Sequence, residues 1–207
     1  SNINIRSSNF SNNGKYIESV YVGYGYINIY ISNDTIITNC IFYSSTSNEG
    51  SIAFHGYFVN PINFIFLLEN CFFYDCVGCC FYQYQGQANV IGMIHNCTFD
   101  NCSCHVRDNG YRNKFTTISL SCDCYSMAID KCIFHNCGHD RVEYIIEISL
   151  SSNADVFHEL NIIDDLFIFD DFNESCGSIY LYINNFKAYI HNCTFYNSSR
   201  NDKTNIN

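Results

Sequence analysis

The sequence predicts an all-β solenoid of about seven coils, and three observations carry that expectation. A short unit recurs from end to end, seen most fully in Ile94-His95-Asn96-Cys97-Thr98-Phe99-Asp100-Asn101-Cys102. Its copies return at a period that averages near 31 residues, inside the 20–50 range that marks stacked repeat architectures. The composition favours strands: 17 Tyr and 18 Phe against a single Pro in 207 residues, with no apolar 3.6-residue period to compete.

In chain order the copies are Ile5-Arg6-Ser7-Ser8-Asn9-Phe10, Ile37-Thr38-Asn39-Cys40-Ile41-Phe42, Leu68-Glu69-Asn70-Cys71-Phe72-Phe73 and Ile94 to Phe99. Then come Ile129-Asp130-Lys131-Cys132-Ile133-Phe134, a degenerate Ile163-Asp164-Asp165-Leu166-Phe167-Ile168, and Ile190-His191-Asn192-Cys193-Thr194-Phe195. The closing residues are spaced by 32, 31, 26, 35, 34 and 27. Cys97 and Phe99 are two apart and so share one face of a strand. Ile94 lies three before Cys97, which breaks the alternation and demands a bend at His95-Asn96. Asn tolerates the left-handed conformation that such a bend requires. Asn39, Asn70, Asn96 and Asn192 hold that place, with Ser7, Lys131 and Asp165 in the other copies. Stacked copies would let the Asn amides hydrogen-bond along the stack.

The second half of each unit is less regular. Gly50-Ser51-Ile52-Ala53-Phe54, Gly78 to Tyr82 and Gly177 to Ile183 read as one strand type opening on Gly. Tyr26 to Ile31, Thr117 to Leu120 and Ile145 to Leu150 alternate as strands do. Each coil therefore holds two or three short strands.

Cys40, Cys71, Cys97, Cys132 and Cys193 occupy one repeat position, and Cys76, Cys102 and Cys137 a second, three after the Phe. Stacked inside, these thiols act as small hydrophobes without partners. Cys79, Cys80, Cys104, Cys122, Cys124 and Cys176 fall off the ladders and are the better disulfide candidates, with pairing unreadable.

The Ile-x-Asn-Cys-x-Phe-x-Asn-Cys unit, followed by Gly-Ser-Ile or Gly-Cys-Cys, resembles the right-handed parallel β-helix, or pectin-lyase-like, superfamily. Within it the unit is most similar to the repeats of polymorphic outer-membrane-protein adhesins. The resemblance spans roughly residues 3–200 and implies a right-handed parallel β-helix. It also implies a secreted or cell-surface setting and a non-enzymatic binding or spacer role toward carbohydrate or a host or cell-surface protein. Fold does not fix activity, so a pectin-lyase-like carbohydrate-active enzyme and a purely structural stalk are the alternatives. The expectation for organisation is a single β-helix domain over 1–207, belonging to a longer protein.

Charge narrows the partners. Twenty acidic against ten basic residues give a net charge of −10, which repels phosphate backbones and excludes nucleic acid. The most apolar stretch, Ile62 to Phe73, is broken by Asn63, Glu69 and Asn70 and is too short to span a membrane.

Several groups of residues could carry chemistry. Arg107, Arg112 and Lys114 concentrate three of the ten basic residues in the longest loop, a site for an anionic ligand or simply a solvated loop. Tyr26 and Tyr30 face outward if Ile27, Ile29 and Ile31 face inward, and could stack on sugars or pack under a loop. Asp164, Asp165, Asp170 and Asp171 supply hard oxygens suited to calcium, but the expectation is an outward acidic face and no cofactor, with calcium only the alternative. Cys102, Cys104, His105, Cys122 and Cys124 are sufficient for zinc, although C-x-C is not the usual spacing.

Polygalacturonase-type motifs appear only in fragments and in the wrong order: Gly138-His139 and Arg112-Asn113-Lys114 precede the Asp pairs. No catalytic residue is therefore assigned. His95, His135 and His191 fall at outward positions, as solvated residues would. Sequons stand at Asn9, Asn33, Asn96, Asn101, Asn173, Asn192 and Asn197. Asn33 and Asn173 are the expected glycan sites, and Asn96 and Asn192, in the inner turn, are expected to be inaccessible.

Overall fold

The computed structural model describes residues 3–11, 27–29, 34–43, 51–55, 62–76, 81–84, 88–102, 117–121, 124–137, 144–150, 158–168, 177–183 and 186–196. These residues are all β, with every strand paired in parallel, and the strands, numbered in chain order, fall into three sheets. The first runs β1 (Ile3–Arg6), β4 (Asp34–Thr38), β7 (Ile62–Glu69), β10 (Ala88–His95), β13 (Cys124–Asp130), β16 (His158–Ile163) and β19 (Phe186–His191). The second takes the three-residue strands β2 (Asn9–Ser11), β5 (Ile41–Tyr43), β8 (Phe72–Tyr74), β11 (Thr98–Asp100), β14 (Ile133–His135), β17 (Leu166–Ile168) and β20 (Thr194–Tyr196). The third contains β3 (Ile27–Ile29), β6 (Ile52–His55), β9 (Phe81–Tyr84), β12 (Ile118–Ser121), β15 (Tyr144–Leu150) and β18 (Gly177–Ile183). No helix among the described residues is long and apolar enough to cross a membrane.

Among the described residues the first six repeats give one strand to each sheet and the seventh gives one to each of the first two, so equivalent residues stack in columns. Phe10, Phe42, Phe73, Phe99, Phe134, Phe167 and Phe195 form one, their rings parallel within 12° and their centroids 4.5–5.0 Å apart. Ile37, Leu68, Ile94, Ile129 and Ile162 form a second, and Ile27, Ile52, Ile118, Ile146 and Ile179 a third, on the opposite sheet; all are buried. The core is thus a bundle of one-residue-wide apolar columns, each side chain packed on its own equivalent above and below.

The corner between the first two sheets turns on one left-handed residue. Ser7, Asn39, Asn70, Asn96, Lys131, Asp164 and Asn192 have φ between 49° and 56°. The N–H groups of the first six bond forward to the next repeat: Asn70 N to His95 O at 3.1 Å and Asn96 N to Asp130 O at 2.9 Å are typical. A second left-handed corner follows the Phe column, at Asp75, Asn101 and Asn136 (φ 48–51°). It closes β8, β11 and β14 in the same manner.

The degenerate repeat sits one residue away from the register expected for it. Phe167, not Ile168, pairs with Phe134 and Phe195. Asp164, not Asp165, takes the left-handed corner, and Asp165 falls in the cysteine column. The sequence Ile162-Ile163 followed by Leu166-Phe167-Ile168 is apolar at either register. The decision falls to the ring column, which only Phe167 continues.

Candidate functional site

The cysteine column runs Ser8, Cys40, Cys71, Cys97, Cys132, Asp165, Cys193 from repeat to repeat. The eight described ladder cysteines, including Cys76, Cys102 and Cys137, are free thiols. Each points inward and shares a weak S–H donor between two carbonyls, as Cys97 does with His95 O at 3.3 Å and Leu68 O at 3.7 Å. Burial pushes the Cys97 thiol well above its ordinary value, while a hydrogen bond from Cys97 lowers Cys71. Cys79, Cys80, Cys104, Cys122 and Cys176 lie outside the described residues, and of the Cys124 side chain nothing is described.

Asp165 is the anomaly in this column. Only 1% of it is exposed. Its Oδ1 accepts the Cys132 N–H at 2.6 Å, and its Oδ2 is buried without a hydrogen-bond partner. Burial raises its pKa to about 7, with the charges of Asp130 and Asp164 adding to the rise and the Cys132 amide opposing it. A carboxyl sealed in a column of thiols cannot meet a substrate, so it offers nothing to the carbohydrate-enzyme alternative.

Asp164 is exposed on the outer corner, where its Oδ1 accepts Asn192 Nδ2 at 2.6 Å. The two neighbouring aspartates therefore face opposite ways and are not brought to one site. Asp170 and Asp171 lie outside the described residues. Among the described residues no group of three or more His, Cys, Asp or Glu is placed to hold a metal ion. Arg107, Arg112, Lys114, Tyr26, Tyr30, Asn33 and Asn173 also lie outside them.

The corner asparagines form side-chain links along the stack: Asn96 Nδ2 donates to Asn70 Oδ1 at 2.6 Å. At the second corner Asn101 Nδ2 donates to Asp75 Oδ1. Asn96 and Asn192 are exposed, a correction to the expected inaccessible turn. The left-handed corner swings its side chain outward while the thiol one residue on turns in. The histidines are more constrained than solvated residues. His95 Nδ1 meets Asp130 Oδ2 at 2.8 Å, and His135 Nδ1 meets Asp100 Oδ1 at 2.7 Å, both half-buried. Register places each pair on neighbouring strands, so two His–Asp links join repeats four and five. Sequence reasoning passed over Asp100 and Asp130. Their signal was the 35-residue offset to a His at an equivalent repeat position.

The outward faces carry large apolar residues in adjacent positions. On the first sheet Ile65 (51% exposed) lies beside Ile91 (49%), and Leu67 beside Met93. On the second, exposed Ile41 lies beside Phe72, and Tyr43 beside Tyr74. The tyrosine rings stack at 5.3 Å and 5°, and the carboxylates of Asp75 and then Asp100 raise the Tyr74 phenol above its ordinary value. Comparison with family models, with curated proteins and with solved structures returned no match. These outward patches are accordingly judged on their chemistry.

Proposed function

We propose that the chain is a right-handed parallel β-helix of about seven coils that serves as a non-enzymatic surface domain, binding a partner in the manner of an adhesin. The observation that carries the reading is the patch of exposed Ile65, Ile91 and Met93 with the partly buried Leu67 on the first sheet. Contiguous exposed apolar surface of this kind marks interaction sites. The resemblance of the repeat to adhesin repeats supports the same reading.

Its rim is polar, with Glu69, His95 and Asp130 at the strand ends, as in protein interfaces. A protein partner fits better than a glycan. Tyr43 and Tyr74 stack on each other, which takes one face of each ring from a sugar.

The test is binding of the purified chain to intact cells and to immobilised extracellular proteins. The variant is Ile65→Asp with Ile91→Asp, its fold verified by circular dichroism. Loss of central apolar contacts should weaken binding about tenfold or more. Unchanged binding removes this face as the site, and turnover of a polysaccharide by the wild-type chain removes the non-enzymatic reading.

A further inference from the structure

On the outer face of the second sheet, aromatic side chains of coils two and three end at carboxylates. Register sets Ile41 beside Phe72 and Tyr43 beside Tyr74, and Tyr74 in turn beside Asp100 of coil four. Ile41, Tyr43 and Phe72 are exposed. Two-residue alternation points Phe72 and Tyr74 the same way, and their rings lie 6.2 Å apart and parallel within 13°. Tyr43 stacks on one face of the Tyr74 ring. Among the described residues no ring covers the other face. The column passes there to Asp100, a side chain too short to continue the stack.

A second carboxylate stands at the same place. Asp75 follows Tyr74 directly and takes the left-handed corner. Its Oδ1 accepts Asn101 Nδ2, and His135 Nδ1 meets Asp100 Oδ1 at 2.7 Å, so the Oδ2 of each aspartate lies outside these bonds. Asp75 and then Asp100 hold the Tyr74 phenol above its ordinary value. A field that resists a phenolate favours a cation beside it. Lys and Arg are absent from the described residues of coils two, three and four.

The rings and the carboxylates select the same ligand. Guanidinium is planar and weakly hydrated, stacks on a ring face and offers a fork of N–H donors to carboxylates. Ammonium is a compact, strongly hydrated point charge and gains less from the ring. A sugar brings no charge, and a nucleic acid brings the wrong one.

We propose that the face of Tyr74 beside Asp100 and Asp75 is a docking site for an arginine side chain of a partner polypeptide. The guanidinium stacks where the next ring of the column would lie, its N–H groups donate to the two aspartates, and neighbouring apolar residues of the partner rest on Phe72 and Ile41. The site is on the second sheet and does not depend on the binding role given to the first.

The experiment is an NMR titration of the full chain, with isotope-labelled tyrosine rings, at low ionic strength. The probes are a short capped peptide carrying one Arg and one Leu, and the same peptide with Lys in place of Arg. The Arg peptide should shift the ring signals of Tyr43 and Tyr74, bind about threefold tighter than the Lys peptide and weaken as salt is added. Asp75→Asn installs the residue that this corner carries at positions 101 and 136, and Tyr74→Ile the residue that the column carries at position 168, so both suit the fold. Each should weaken the Arg peptide about threefold, read from the peptide's own signals. Tyr196→Ile removes an exposed tyrosine of the same column, three coils beyond Asp100, and should leave the affinity unchanged. Ring signals of Tyr43 and Tyr74 that stay in place at the highest peptide concentration overturn the proposal. So does either Asp75→Asn or Tyr74→Ile binding as the wild type does. Equal affinity for the two peptides overturns the assignment to arginine.

Discussion

One carboxyl departs from an otherwise uniform column. At Asp165 the chain places an ionisable group where every other coil but the first has a thiol. Its folded pKa of about 7 stands above an ordinary value of 3.8, and the cause is burial. Well below the ordinary value of 3.8 the group is neutral whether folded or unfolded, and its destabilising contribution is absent. As the pH rises the unfolded chain ionises first, so the folded state loses stability progressively up to about pH 7, and the loss is constant above that. The full difference is on the order of 4 kcal/mol. Asp165→Cys restores the column. It should raise the urea midpoint at pH 8 and flatten its fall between pH 4 and 7. A parallel pH dependence in wild type and variant would show that Asp165 is not the titrating group. The position was misread from sequence because flanking apolar residues fit two registers. A one-residue slip moves Asp165 from corner to core.

At the scale of the element, the ring column sets the register. Phe99 is fully buried between Phe73 and Phe134, whereas Phe72, one residue before Phe73, points outward and is 37% exposed. Phe99→Ala should cost about 3–5 kcal/mol through lost burial and the cavity left in the column. Phe72→Ala should cost well under half of that, measured by chemical denaturation of both. Equal costs would mean that the column is not the framework. This alternation was legible in the sequence, because the two-residue spacing of Cys97 and Phe99 places both on one face. So was the left-handed corner at Asn96, from the three-residue step back to Ile94. The second corner at Asn101 was not distinguished. Asn in a polar connecting stretch suits a turn, a cap or a sequon equally, and only its φ separates them. The His95–Asp130 and Asp100–His135 links were legible in the aligned repeats but passed over, because outward polar positions were read as solvated rather than as facing each other across neighbouring coils.

For the whole molecule, stability in a stack is a sum over coils and the junctions between them. Among the described residues the outermost strands of each sheet pair on one side only, and the buried carboxyl of coil six, bonded back to the Cys132 amide of coil five, lies one coil from the last. Unfolding should therefore begin at the last coil once Asp165 ionises. In dilute solution, native-state hydrogen exchange corrected for intrinsic rates should find the amides of β10 and β13 most protected and those of β19 and β20 least. Raising the pH from 5 to 8 should widen that gap at the C-terminal end. The amide of Thr194, bonded to the Asp165 carbonyl at 2.9 Å, should lose more protection than that of Ile41, which makes the equivalent bond to Ser8 at the other end. Asp165→Cys should make the two ends respond alike. If the wild-type ends already respond alike, the buried charge is being relieved within coil six, and the last coil is as firmly seated as the first.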